Sequence, residues 1–504
     1  MDRREILKAF ATVPFLGVFV QRYFVDHKNR ARIRAQESSH FSNVLSEGVQ
    51  IPSVKKSVAG KRIRIGFVGN GARGPQLFRG LGFGDPDWVS SKIQSNGKPN
   101  QTLREFYGQE DLNVEITGVC DTFSLRAEEA AIIAASEHRS GGASSQIAPK
   151  IYPTYREMLD DDNLDAIVIV TPDHWHAKMA IAAAKRGKHV YLEKPMCQTI
   201  EEAMVLRNVL KETGVILQVG HQNRQQASYI RAKEIIDKGL IGTVSSIETY
   251  TNRNSDHGAW IRGIDKRANE TNINWEEFLG DKEHVPFDLD KYFNWQKWFE
   301  YGTGPAGNQF THEFDCVNQV MNLGIPSRVV AVGGHFFYKD PRDIPDVFNA
   351  SFLYPDKNLT LTYDCSLKNS RQRDKTFLGE AGTMEVNIGL AVFPERNTAE
   401  RRRQFPSEGP SYTYHPRMAH LDGVSSATSK YYEDRGFLYT YQGEKRIDTT
   451  YLHMKEWLTC IRNGEEPSCS VDKGFEETVT FRMANISFLE KRLVEWDSKN
   501  EKVI

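Results

Sequence analysis

Cysteine is scarce in this chain, net charge is close to absent, and no apolar run is long enough for a comfortable membrane span. The six cysteines (Cys120, Cys197, Cys316, Cys365, Cys460 and Cys469) are scattered through 504 residues with no C-x-x-C pair. That spacing points neither to a zinc site nor to a disulfide scaffold; Cys460 and Cys469 could be joined, but spacing alone does not show it. Lys and Arg number 65 against 66 Asp and Glu, a net charge of −1, so there is no basic footprint for nucleic acid. No internal repeat is present, which removes solenoids and propellers. The length suits two domains with a sizeable core.

The N-terminus carries its own pattern. Arg3-Arg4-Glu5-Ile6-Leu7-Lys8 precedes an apolar run from Ala9 to Val20, and Gln21, Arg22 and Lys28 return to polarity. Paired arginines before a short apolar region resemble a twin-arginine export signal. The run is shorter than the ~20 residues of a spanning helix, and no small-x-small cleavage site is clear, so residues 1–30 read as a signal or an uncleaved anchor. The expected location is the periplasm; an ordinary amphipathic N-terminal helix is the other reading. Residues 31–60, polar and irregular, read as a linker.

The most informative stretch is Ile63 to Gly74, I-R-I-G-F-V-G-N-G-A-R-G. An apolar run ends in Gly69-x-Gly71-x-x-Gly74 and leads into a helix-like segment. In such a turn the first glycine allows the tight bend, the second lets backbone approach a pyrophosphate, and the third allows close strand–helix packing. A lone G-x-G-x-x-G is weak evidence, and an acid at the next strand end strengthens it. Val114, Ile116 and Val119 alternate as that strand, and Asp121 closes it. The usual gap of about 20 residues is lengthened here by Leu81 to Asp111, a segment rich in turn residues that reads as a surface insertion. A carboxylate here accepts adenosine ribose hydroxyls and repels a 2′-phosphate, which favours NAD over NADP.

Strand and helix signals then alternate. Thr122 to Glu137 reads as a helix, Ala166 to Val170 as a strand, Ala177 to Arg186 as a helix, and His189 to Leu192 as a strand. That rhythm implies a parallel sheet with right-handed crossovers. Ligands gather at the carboxyl ends of such strands, where Gly71, Asp121, Thr171, His174, His176 and Lys194 all fall. With Gly69, Arg73, Gly74, Pro172 and Glu193 they form the candidate cofactor site.

The run T-P-D-H-W-H-A-K from Thr171, with G-K-H-V-x-x-E-K-P ending at Pro195, resembles the glucose–fructose oxidoreductase/inositol dehydrogenase (Gfo/Idh/MocA) family. Gly220-His221-Gln222-Asn223-Arg224, Asn274-Trp275-x-x-Phe278-Leu279-Gly280, the segment Gly304 to Asp315, Ile461-Arg462-Asn463-Gly464 and Trp496-Asp497 agree with it. The resemblance implies an α/β chain: a Rossmann NAD-binding domain over residues 61–223, then an α/β domain over 224–504 with a large, open, mostly antiparallel sheet. It also implies homo-oligomers through that sheet, and an active site between the domains. Alternation marks Val329 to Tyr338, Phe348 to Tyr354 and Leu359 to Cys365 as strands of the sheet.

Lys194 resembles the family's active-site lysine. Desolvation in a cleft lowers a lysine's pKa and leaves it able to hydrogen-bond a hydroxyl being oxidised. His312 is the candidate general base, a helix-capping structural histidine being the alternative. Asp315, one turn later, shares its helix face and could orient the imidazole or the substrate. Family members often carry Asp and Gly where this chain has Asn308 and Phe310. His221, Asn223, Arg224, Asn308 and Asp315 are the candidate substrate residues; Tyr292, Trp260, Trp295 and Trp298 are candidates for stacking on a sugar ring. No metal site is expected.

Three functions compete. The first is NAD-dependent oxidation of a secondary hydroxyl on a sugar, glycoside or inositol. The second is glycoside cleavage through a transient ketosugar, elimination and hydration. The third is a non-enzymatic sugar or nucleotide sensor, which the lysine and histidine disfavour. Export would favour a tightly held cofactor regenerated in place, because free NAD is scarce outside the cytoplasm.

Overall fold

Short, mostly buried strands build the first half of the molecule. The computed structural model describes residues 60–143, 147–255, 258–404, 408–414, 439–442 and 445–504; the N-terminal signal or anchor and nearly all of the linker lie outside these. In chain order the first unit comprises β1 (Ile63–Val68), α1 (Gly74–Gly80), β2 (Val114–Cys120), α2 (Ser124–Ala134), β3 (Lys150–Ile151), β4 (Ala166–Ile169), α3 (Asp173–Lys185), β5 (His189–Leu192), α4 (Ile200–Thr213) and β6 (Leu217–Val219). The six strands pair in parallel in the order β3-β2-β1-β4-β5-β6, the doubly wound arrangement with its switch point between β1 and β4. β4 and β5 are buried at every position, as strands covered on both faces must be. α4 begins in a Thr199/Glu202 capping box and ends at Gly214 in the left-handed region, so its limits are set by local chemistry.

The insertion after α1 holds two short helices, Pro86–Ser91 capped by Asp85 and Gln101–Tyr107 capped by Asn100. Val89, Leu103 and Phe106 form a small core of their own there.

The second unit is organised by a ten-stranded sheet. Its strands are β7 (Val244–Asn252), β8 (Arg328–Gly334), β9 (Val347–Tyr354), β10 (Leu359–Ser366), β11 (Lys375–Gly379), β12 (Gly382–Val386), β13 (Leu390–Pro394) and β14 (Tyr412–Tyr414), with β17 and β18 below. A separate hairpin pairs β15 (Tyr439–Gln442) with β16 (Lys445–Asp448), and β17 (Val494–Asp497) and β18 (Lys502–Val503) close the chain. The order is β14-β13-β12-β11-β7-β10-β9-β8-β17-β18, antiparallel except where β7 meets β10. Alternate residues of β9 and β10 (Phe348, Ala350, Phe352, Leu361, Tyr363) are buried on one face, the period of two expected of a sheet covered on one side. The strand expected to reach Tyr338 stops at Gly334. Beyond it the buried Asp346 carboxylate accepts the amides of Phe336, Phe337 and Tyr338 at 2.8–2.9 Å, so those N–H groups are taken out of the ladder.

Three helices connect the units. α5 (Thr311–Met321) packs its apolar face on the large sheet. α6 (Thr449–Asn463) returns to the first unit, placing Met454, Trp457 and Leu458 in the core beneath β1 and β2. His453 of α6 lies 2.9 Å from the Val219 carbonyl. α7 (Val471–Glu490) packs against both α4 and β8. All six cysteines are buried and free, so Cys460 and Cys469 are not joined. Among the described residues no helix is long and apolar enough to cross a membrane.

Candidate active site

The glycine loop opens a cleft at the carboxyl ends of the parallel strands. Gly69 sits at φ +88°, and a Cβ there would lie 2.6 Å from the Val170 carbonyl oxygen; a side chain would be both strained and blocked. A Cβ on Gly74 would strike the Asn70 side chain at 2.6 Å, whereas one on Gly71 would meet nothing nearer than Arg126 Nη1 at 3.8 Å. The loop is therefore packed tightly at its ends and open in its middle, where a ligand's backbone approach is needed. Asp121 closes β2 and caps this loop: Oδ2 accepts the Asn70 amide at 2.7 Å and Oδ1 accepts that of Phe123 at 2.9 Å. Asp121 also lines a cleft that reaches Lys194 and His312.

At the other end of the cleft, β5 delivers Glu193 and Lys194. Glu193 is buried and accepts Arg73 Nε at 2.9 Å. Burial pushes its carboxyl up, but Arg73 and Lys194 outweigh that and hold it below the ordinary value. Lys194 Nζ donates to the Asn308 backbone carbonyl at 3.2 Å. Its pKa is lowered, chiefly by desolvation and against the pull of Glu193 and Asp173. Asn308 lies in a π-helical turn, Ala306–Phe310, that leads directly into α5; such turns are frequent at functional sites. His312, two residues beyond the turn, is buried, and desolvation with Lys194 and His221 nearby drives its pKa well below the usual 6.5. It is a neutral imidazole at neutral pH.

The residues of the first unit match the oxidoreductase family GFO_IDH_MocA, with its NAD-binding Rossmann fold, over 63–221. That match spans the first unit and stops before the second. The chain is 42% identical over 103 residues to scyllo-inositol 2-dehydrogenase (NAD(+)) of Bacillus subtilis, covering 20% of this chain and 29% of that protein. It is 29% identical over 181 residues to levoglucosan dehydrogenase of Pseudarthrobacter phenanthrenivorans, covering 36% and 41%. The chain thus spans well under half the length of these relatives. A solved levoglucosan dehydrogenase, in complex with NADH and levoglucosan, superposes with a TM-score of 0.57 at 18% identity over 86% of this chain and 99% of that one, a likeness of fold that includes the second unit.

The cleft brings some candidate residues together and not others. Gly69, Gly71, Arg73, Asp121, Thr171, Pro172, Glu193 and Lys194 line the cleft, joined by Asn308 and His312 from the second unit. Gly74 lies behind the loop. His174 is buried, with Nε2 2.7 Å from the Phe278 carbonyl, and its ring sits among Trp175, Phe278 and Tyr301. His176 bridges two backbone carbonyls, Nδ1 to Pro195 at 2.7 Å and Nε2 to Thr171 at 2.9 Å. His176 thus ties the segments that follow β4 and β5 to each other, and His174 packs against the second unit.

The candidate substrate residues His221, Asn223, Arg224 and Asp315 form a buried layer behind the cleft. His221 Nε2 meets Glu477 of α7 at 2.7 Å, and Arg224 Nη1 meets Asp315 at 2.5 Å. Asp315 therefore orients Arg224 and makes no recorded bond to His312. His221 packs edge to face on His312 with ring centroids 5.6 Å apart. Of the stacking candidates, Tyr292 and Trp295 line the cleft, Trp260 is core, and Trp298 supports a neighbouring aromatic cluster.

Asp173 and Arg262 also line the cleft and were not among the sequence candidates. Asp173, at the start of α3, is 2% exposed and accepts Thr303 Oγ1 at 2.7 Å. Burial raises its carboxyl to about 6, against the opposing effect of His176, Thr303 and Lys194. Arg262 enters from the loop before Trp295; nothing periodic in the sequence marks it.

The cleft fits a dinucleotide. The loop at Gly69 leaves no room for a Cβ, Arg73 Nη2 is buried without a hydrogen-bond partner, and Asp121 offers carboxylate oxygens at the β2 end, where an adenosine ribose would sit.

Proposed function

We propose that this protein is an NAD-dependent oxidoreductase that oxidises a secondary hydroxyl of a sugar, glycoside or inositol. The observation that carries the reading is one cleft holding the glycine loop and Asp121 at one end and Lys194 with His312 at the other. The cofactor supplies a hydride acceptor. Lys194, held by the Asn308 carbonyl, donates a hydrogen bond to the hydroxyl oxygen as it becomes a carbonyl. His312, neutral through burial, accepts the hydroxyl proton while hydride leaves the same carbon. The Asp121 carboxylate favours NAD over NADP. To test the reading, the protein is purified without added cofactor and denatured, and released nucleotide is identified by mass spectrometry. NAD in the extract, or saturable binding of added NADH, is the expected result; an empty protein that also ignores NADH rejects the reading.

A second reading is redox-assisted glycoside cleavage. It is favoured by Asp173, a cleft carboxyl that titrates near 6 and is suited to proton transfer to a leaving group. Turnover in heavy water separates the two: solvent deuterium at the ring carbon next to the oxidised one supports elimination, and accumulating ketosugar without deuterium supports simple oxidation.

The twin-arginine-like N-terminus supports export to the periplasm, either cleaved or as an anchor; fractionation that finds the full-length chain only in cytosol would reject this. The outer face of the large sheet exposes Val330 at 43% and Val332 at 63%. It supports assembly of homo-oligomers through that face, which light scattering of the purified protein tests.

A further inference from the structure

We infer that the hydroxyl compound carries an anionic group, a carboxylate or a phosphate, and that Arg262 receives it. This rests on the reading of the cleft as a sugar oxidoreductase site. Arg262 Nη2 donates to Gln296 Oε1 at 2.6 Å, Gln296 Nε2 donates to Asn308 Oδ1 at 2.9 Å, and the Asn308 carbonyl accepts from Lys194 Nζ. The guanidinium thus stands two side chains from the reacting end of the cleft. Its backbone is fixed as well, since its amide donates to Asn294 Oδ1 at 2.6 Å and the buried Trp260 just before it holds φ +60°. A preset guanidinium is a recognition element for planar or tetrahedral oxyanions.

Among the described residues, the charge balance around Arg262 is incomplete. Its recorded side-chain partner is neutral, and among the described residues no carboxylate forms an ion pair with it. Among the described residues, the charges that act on it are those of two more cations, Arg253 and Arg126. The acids lining the cleft are occupied elsewhere: Glu193 pairs with Arg73, Glu277 with Arg156, Asp121 caps the glycine loop and Asp173 holds Thr303. Burial, with the two neighbouring arginines, lowers Arg262 to about 10, the mark of a cation without a counter-charge. An entering anion would supply that charge. A dinucleotide's phosphates have other cations at the glycine loop, where Arg126 Nη1 lies near Gly71 and Arg73 Nη2 is buried without a partner.

The test is calorimetric binding to the full-length protein saturated with NADH, using matched probes. D-glucuronate is compared with D-glucose, D-galacturonate with D-galactose, and D-glucose 6-phosphate with D-glucose. At least one acidic probe is expected to bind roughly ten-fold or more tightly than its neutral partner, the size of one charge-assisted hydrogen bond. R262Q is expected to erase that difference and R262K to keep part of it. A uronate preference identifies a carboxylate, and a preference for the 6-phosphate identifies a phosphate. Equal binding of acidic and neutral partners, binding of no acidic probe, or a preference that survives R262Q overturns the inference. The wild-type comparison requires no variant to fold. NADH fluorescence on the same protein is the separate check: if NADH does not bind, the oxidoreductase reading falls, whereas NADH binding without acidic preference removes only the role of Arg262.

Discussion

Arg73 on the glycine loop and Glu193 at the end of β5, 120 residues apart in sequence, form a largely buried ion pair at 2.9 Å. The pair ties the loop that would cradle a pyrophosphate to the strand that carries Lys194. Breaking it from the cationic side strands a carboxylate in a desolvated place. Arg73→Met is therefore expected to lower stability by roughly 3–5 kcal/mol in urea unfolding. Because Glu193 is held below its ordinary 4.5, the pair's contribution is present above that pH and fades as pH falls through the lowered value. The deficit of the variant should shrink in acid. A variant as stable as wild type at pH 7 would show that the pair holds nothing.

Asp121 already satisfies two backbone amides, so its substitution tests more than ribose binding. Asp121→Ala is expected to weaken NADH by roughly ten- to a hundred-fold, the loss of hydrogen bonds to a charged acceptor. It is also expected to narrow the gap between NADH and NADPH, because the charge that repels a 2′-phosphate is gone. Fluorescence titration with both nucleotides reads this directly. An unchanged preference would remove Asp121 from cofactor selection.

Lys194 and His312 are expected to act on the reacting hydroxyl and not on nucleotide affinity. Lys194→Met and His312→Ala should each lower kcat by roughly 10²–10⁴ on a verified substrate, with NADH affinity near that of wild type. Full turnover by either variant would end the role assigned to that residue.

What could be read from the sequence was what the backbone encodes locally. Gly69 needs a positive φ, β2 ends in an acid, and Glu193-Lys194-Pro195 ends a buried strand, so these positions were legible before any packing was known. Alternation likewise marked β9 and β10. The polar layer was not legible: His221 and Arg224 follow a strand end just as Lys194 follows β5, but Glu477 and Asp315 arrive from distant helices and draw them inward. The early end of β8 depends on Asp346, whose capture of three amides leaves no periodic trace. Asp173 stood without a role inside the T-P-D-H-W-H run, because its burial by Thr303 and Asn308 comes from more than a hundred residues away.

Asp173 yields the clearest pH prediction. Its carboxyl rises from 3.8 to about 6 on folding, so the folded state holds the proton more tightly than the unfolded chain. Stability from this group is complete below the unfolded value, declines as pH climbs from about 4 to 6, and is fully lost above that. The loss amounts to roughly 3 kcal/mol. Asp173→Asn mimics the protonated form and keeps an oxygen to accept Thr303 Oγ1. It should match wild type near pH 4 and exceed it by up to that amount at pH 8, with the gap opening between. Urea unfolding at four or five pH values measures the difference. A gap that stays constant across the range would mean that Asp173 titrates as an ordinary carboxyl, and the cleft would then lack the acid on which the glycoside-cleavage reading depends.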